Sequence, residues 1–275
     1  MQPTQDMEEF VAKLAKDCGD LVREKNKLKK NVEEKLNAVD LVTETDKEVE
    51  KRLISALSEK YPDHKFIGEE STADGIKCVL TSDPTWIIDP IDGTMNFVHG
   101  YPEFCISIGY VVDKVPVMGI IYCPMQDWLF TARKGCGAFH NGVAIHVSQT
   151  KELSQALVNI ETSVRSSDPN KIKVFFENVH TLAPIVHGIR TVGSAVITMS
   201  IVAMGGSDAY FEFEVHAWDM AAGCVLVREA GGVVIDPAGG EFDLMSGRIL
   251  CASSQDLAQE LVKNLKQYHG SRDDA

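Results

Sequence analysis

Trp86-Ile87-Ile88-Asp89-Pro90-Ile91-Asp92-Gly93-Thr94 joins an apolar run to two carboxylates and a Gly-Thr turn. Trp86–Ile88 reads as a buried strand, with Asp89 at its C-terminal end and Asp92 three residues later on the turn. Gly93 allows close backbone approach to a ligand, and Thr94 begins a short helix through Asn96 and Phe97. A helix start offers free N–H groups to an anion, and two carboxylates beside them can hold a metal against a bound phosphate. Taken alone, the same letters describe an ordinary Asp-Gly turn with a helix cap. Two other stretches change the reading. Trp218-Asp219-Met220-Ala221-Ala222-Gly223 opens a helix-like segment, where a solitary Asp would be a favourable cap. Gly68-Glu69-Glu70 follows a short strand, and one of its adjacent carboxylates is expected to face the site while the other is structural. Hard oxygen donors with no nearby thiolate suit magnesium and a phosphate ester.

Around these stretches the pattern changes twice. Met7, Val11, Leu14, Cys18 and Val22 recur at helical spacing. A basic segment from Arg23 to Lys35 follows, read either as a solvated helix end or as a flap that brings Lys35 near an anion. Thr45-Asp46-Lys47-Glu48 has the spacing of a capping box, with Val49, Leu53 and Leu57 as the buried stripe behind it. From Lys65 to Val147 short strands dominate: 65–67, 86–89, 104–112, 116–122, 129–132 and 143–147. Val112-Asp113-Lys114-Val115 is the turn of a hairpin. After residue 148 strands and helices alternate: strands at 156–161, 188–192, 209–213, 233–235 and 249–251, and helices at 172–180, 194–204, 219–230 and 255–266. The division expected is an N-terminal α+β half over 1–147, with an antiparallel sheet, and a mixed α/β half over 148–275, with helices on both sides of the sheets.

Bulk properties narrow the function. A chain of 275 residues with 44 % apolar and 24 % charged content can bury a large core. A net charge of −13 argues against a nucleic-acid partner. It would also repel a phosphate substrate unless bound divalent cations reverse the sign locally. The seven cysteines lie far apart, with no CxxC or Cys/His cluster, so neither a disulfide framework nor a zinc site is expected. No apolar run approaches membrane-spanning length and the N-terminus is charged, so no membrane partner is expected and the cytoplasm is the expected compartment. A haloacid-dehalogenase-type mechanism would need the second Asp two residues after a nucleophilic Asp. Here Pro90 and Ile91 both intervene.

With its motifs in hand, the chain resembles the inositol monophosphatase family, of the lithium-sensitive sugar-phosphatase superfamily, and in particular the animal cytosolic enzymes. The likeness also covers Val39-Asp40-Leu41-Val42-Thr43, Gly188-Ile189-Arg190-Thr191-Val192-Gly193-Ser194-Ala195 and Phe242-Asp243-Leu244-Met245-Ser246. It implies a layered αβαβα sandwich of the fructose-1,6-bisphosphatase type, two to three Mg2+ ions, a homodimer, and hydrolysis of myo-inositol monophosphates. Glu69, Asp89 and the Ile91 carbonyl would hold one ion; Asp89, Asp92 and Asp219 would hold a second; Glu69 would help hold a third. Gly93 and Thr94 would bind phosphate through backbone N–H groups. Thr94, with Asp46 and a metal, would activate the attacking water, and Gly193, Ser194, Ala195 and Glu212 would contact the ring. His216 is read as a packed residue rather than a general base. Met95 and Ala217 depart from the residues many relatives carry there. Two other readings are a different phosphatase of the superfamily, acting on a bisphosphate nucleotide, a sugar bisphosphate or histidinol phosphate, and a catalytically silent regulatory relative. No Arg/Lys cluster beside the motifs suits a second phosphate, and every expected ligand is retained.

Overall fold

The computed structural model describes residues 2–28, 32–34, 41–161 and 168–275; Lys35 and Asp40 lie outside them. Helix α1 (Gln5–Asn26) starts where the Thr4 hydroxyl accepts the Met7 N–H, and it buries Met7, Val11, Ala15, Cys18 and Val22. A short ribbon, β1 (Val32–Glu34) against β2 (Leu41–Thr43), leads into α2 (Glu44–Lys60). The capping box at that start is Thr43 with Asp46, two residues earlier than the Thr45-Glu48 spacing suggests, because the Asp46 carboxylate returns to the Thr43 N–H at 3.0 Å.

Next come β3 (Lys65–Gly68), α3 (Glu69–Ala73), β4 (Thr85–Asp92), α4 (Thr94–His99), β5 (Cys105–Val112), β6 (Val115–Cys123), β7 (Trp128–Arg133), β8 (Gly137–His140) and β9 (Val143–Ile145). These seven strands form one sheet in sequence order. It is antiparallel from β4 onward, whereas edge strand β3 runs parallel to β4 because the chain crosses over through α3. The β5–β6 hairpin turns at Asp113 and Lys114, both with positive φ, as expected of a two-residue loop. The sequence reading missed β8, four residues bounded by turn glycines, and overran β9, since the Val147 N–H leaves the sheet for the Ala230 carbonyl.

The rest of the chain gives β10 (Leu157–Ile160), α5 (Pro169–Leu182), β11 (Gly188–Arg190), α6 (Ala195–Ala203), β12 (Ala209–Phe213), α7 (Ala217–Glu229), β13 (Val233–Ile235), β14 (Arg248–Ala252) and α8 (Gln255–Asn264). The five strands form a mixed sheet in the order β11-β10-β12-β14-β13. Helix α5 begins three residues before the sequence estimate, because Asp168 caps it and Pro169 suits its first turn.

Alternation along the strands sorts side chains into layers. Trp86 and Ile88 face α1 and α2, whereas Ile87 faces α6 and α7. In the second sheet Tyr210, Ile249 and Cys251 face those same helices, and Phe211 and Leu250 face α5 and α8. The result is the five-layer αβαβα sandwich that the resemblance implied.

Helix α7 lies unusually close to the first sheet. Gly109 and Gly119 are register partners on β5 and β6. A Cβ on Gly109 would sit 2.6 Å from the Ala221 Cβ, and one on Gly119 would sit 2.3 Å from the Ala222 carbonyl oxygen. The Ala-Ala-Gly of the Trp218 motif is therefore a close-packing device. Gly119→Ala has no side-chain tip to displace, so it is expected to cost about 3 kcal/mol. A melting temperature within a degree of the parent would refute this packing argument.

Candidate active site

Strand alternation alone would put Asp89 and Asp92 on opposite faces. The ladder prevents that: Asp89 pairs with Ser107 and Asp92 with Cys105, so three steps on β4 span two on β5. Pro90 has no N–H for the ladder, and the Ile91 N–H turns back to Asp89 Oδ1 at 2.9 Å. The bulge rotates Asp92 onto the face of Asp89, toward α7, and sends Ile91 into the opposite core. Asp219, in the first turn of α7, completes the group. Carboxylate oxygens of Asp89, Asp92 and Asp219 lie within 4.8 Å of one another. Glu69, at the start of α3, reaches Asp89 through a side-chain hydrogen bond.

Each carboxylate is fixed by donors. Asp92 Oδ2 accepts the Val196 N–H at 2.9 Å, the Ser194 hydroxyl and the Cys105 thiol. Asp219 Oδ2 accepts the His216 N–H at 2.7 Å. Burial pushes Asp92 up to about 6 and Asp219 up to about 7, and the Glu69 charge adds to both. Asp89 is raised well above the usual carboxylate range, through burial and then the charges of Glu69, Asp92 and Asp219. Buried oxygen donors that repel one another this strongly fit a hard divalent cation, which would relieve the repulsion.

Beside the cluster, Thr94 Oγ1 lies 3.2 Å from Asp46 Oδ1 and 3.0 Å from the Ile91 carbonyl, two acceptors that share its single O–H. Asp46 is fully buried, and burial, opposed by the Thr43 hydroxyl, raises it to about 6. Gly93 has φ 91°, and a Cβ there would meet the Glu103 carbonyl oxygen at 2.9 Å. No side chain fits that position. The Gly193 N–H donates to Glu161 at 2.9 Å, Ser194 caps α6 by accepting the Ile197 N–H, and Ala195 is the first helical residue. Glu212 shares a face of β12 with Tyr210, whose hydroxyl donates to it. Burial and the Glu161 charge raise Glu212 to about 8.

The model of the inositol monophosphatase family matches residues 4–269. The chain belongs to the inositol monophosphatase family. Inositol monophosphatase 1 of Rattus norvegicus is 47 % identical over 99 % of this chain and 98 % of that one. The solved IMPase of Thermotoga maritima superposes with a TM-score of 0.84 at 32 % identity, covering 94 % of this chain and 96 % of that one. The "Inositol monophosphate bound SaIMPase-II" structure has a TM-score of 0.78 at 27 % identity, over 95 % and 94 % of the two chains.

Three supports of this site escaped the sequence reading. Glu50 accepts the Glu70 N–H at 2.8 Å and the Ser71 N–H at 2.9 Å, which anchors the helix start that carries Glu69. Glu161 takes the Val192 and Gly193 N–H groups and the Thr198 hydroxyl, which sets the loop before α6. Asn96 Nδ2 donates to the carbonyls of Glu103 at 2.7 Å and Val192 at 3.0 Å, tying the Gly93 turn to that loop.

Proposed function

We propose that the chain hydrolyses myo-inositol monophosphates to myo-inositol and inorganic phosphate, with Mg2+ held by Glu69, Asp89, the Ile91 carbonyl, Asp92 and Asp219. The observation that carries this is the bulge that gathers Asp89, Asp92 and Asp219 within 4.8 Å of one another, in a chain that matches the family over nearly its whole length. Magnesium there supplies the positive charge that lets a phosphate ester approach a chain of net charge −13.

The chain's own groups account for the rest. In this reading the Gly93 and Thr94 N–H groups hold the phosphate, and the room that Gly93 leaves at the turn supports it. A water oxygen forms the new bond to phosphorus, the ester P–O bond breaks, and the inositol oxygen leaves, taking its proton from a solvent water. Thr94 Oγ1 receives a proton from that water as its own passes to Asp46 Oδ1, whose raised proton affinity suits it to hold one. No protein nucleophile is needed. The loop of Gly193, Ser194 and Ala195, with Glu212, faces the inositol ring. The same reading carries two to three ions per site, lithium sensitivity, a homodimer and a cytosolic location.

Glu212 gives the specificity test. Accepting from an inositol hydroxyl remote from the phosphate is worth about one to two powers of ten in kcat/KM. Glu212→Ala is therefore expected to lose that factor on inositol 1-phosphate and to leave 2-glycerophosphate hydrolysis nearly unchanged. An equal decline on both esters would move Glu212 from specificity to upkeep of the fold.

A further inference from the structure

Helix α7 has a first turn with a conflict. The first N–H groups of a helix need acceptors from outside it. Asp219, the N3 carboxylate, spends one oxygen on the His216 N–H and is also a member of the acidic cluster. His216 occupies the N-cap position and brings an imidazole where a Ser or Thr hydroxyl or an Asp or Asn oxygen is usual. A second carboxylate comes from Asp273, 57 residues beyond His216. Its Oδ2 accepts the Ala217 N–H at 2.7 Å, and its Oδ1 lies 2.6 Å from His216 Nδ1. The His216 ring in turn stacks on Trp218, with ring centres 4.6 Å apart.

The stretch that carries Asp273 is otherwise open to solvent. The Asp273 side chain is 7 % exposed, against 46 % for Arg272 and 40 % for Asp274. Its backbone is pinned as well: the Asp273 N–H donates to the Met245 carbonyl at 3.1 Å, and Arg272 reaches Asp243 at 2.7 Å. Nothing in the hydrolysis described above uses this carboxylate.

We propose that Asp273 is a positioning residue: it clamps the start of α7 and the His216 ring, and thereby sets how well Asp219 is presented to the metal. The proposal rests on the metal site assigned above and adds a determinant of its affinity that touches neither metal nor substrate. An unclamped first turn frays, and Asp219 then divides its time between the cluster and the helix N–H groups.

The test is Mg2+ binding to the full-length, chelator-treated protein by calorimetry, with phosphate release measured in parallel. Asp273→Ala is expected to weaken Mg2+ binding about tenfold, the scale of one charge-assisted hydrogen bond. Its kcat at saturating Mg2+ should stay within about twofold of the parent, as befits a group outside the reacting atoms. Asp273→Asn keeps an acceptor for the Ala217 N–H and should recover most of the affinity; it also serves if the alanine variant does not fold. Unchanged Mg2+ affinity in Asp273→Ala overturns the proposal, as does a lower kcat with affinity intact. A parent protein that binds Mg2+ but releases no phosphate from inositol 1-phosphate would sink the assigned activity and leave the clamp standing on the affinity difference.

Discussion

Asp219→Asn is expected to reduce phosphate release from inositol 1-phosphate by about a thousandfold at saturating Mg2+. The side chain keeps its shape and its capping acceptor, so the His216 N–H still finds an oxygen and α7 still starts at Ala217. What is lost is one negative charge from a group of buried carboxylates whose charges oppose one another. The metal-free protein should therefore melt no lower than the parent, since a like charge has been removed. Activity and stability are predicted to move in opposite directions, which separates a ligand from a structural cap. A near-parental kcat in this variant would remove Asp219 from the metal site.

Burial of these acidic groups gives the protein a pH dependence of unusual sign. Burial raises Asp46 and Asp92 to about 6, Asp219 and Glu161 to about 7, and Glu212 to about 8. Unfolding returns all of them to the ordinary carboxylate range. Between about pH 4 and pH 8 the native state then binds more protons than the unfolded state, so metal-free stability falls as pH rises. His216 works in the same direction: burial alone would lower it, but the Asp273 hydrogen bond and the Asp219 charge raise it to about 9. Its contribution is full below its unfolded value and is lost as pH climbs through about 9. In chelator, melting is expected at a higher temperature near pH 5.5 than near pH 8. Added Mg2+ favours ionised carboxylates, so its stabilising shift should be larger at pH 8. A chelated protein that melts higher at pH 8 would contradict this account of the acidic cluster.

The sequence exposed the donors more readily than their arrangement. Trp86–Ile88 is legible as a strand with Asp89 at its end, yet alternation would part Asp89 from Asp92. Their convergence depends on a bulge set by pairing with Ser107 and Cys105, and pairing is not written in local periodicity. Helix starts were found within a few residues and then moved by the carboxylate that closes each cap: Asp46 draws α2 back to Thr43, and Asp219 draws α7 back to His216. The layered architecture came from the resemblance, since alternating strands and helices do not by themselves say which sheet covers which. Glu50, Glu161 and Asp273 stayed hidden for one reason. Each spends its carboxylate on backbone N–H groups at least twenty residues away, and a buried acid with a distant backbone partner leaves no pattern in the letters around it.

The central claim is tested by titrating Mg2+ into chelator-treated protein while following phosphate release from inositol 1-phosphate. No release is expected before Mg2+ is added, and saturable release after it, lost again on chelation. Release that chelation leaves unchanged, or none at any Mg2+ concentration, would contradict the account.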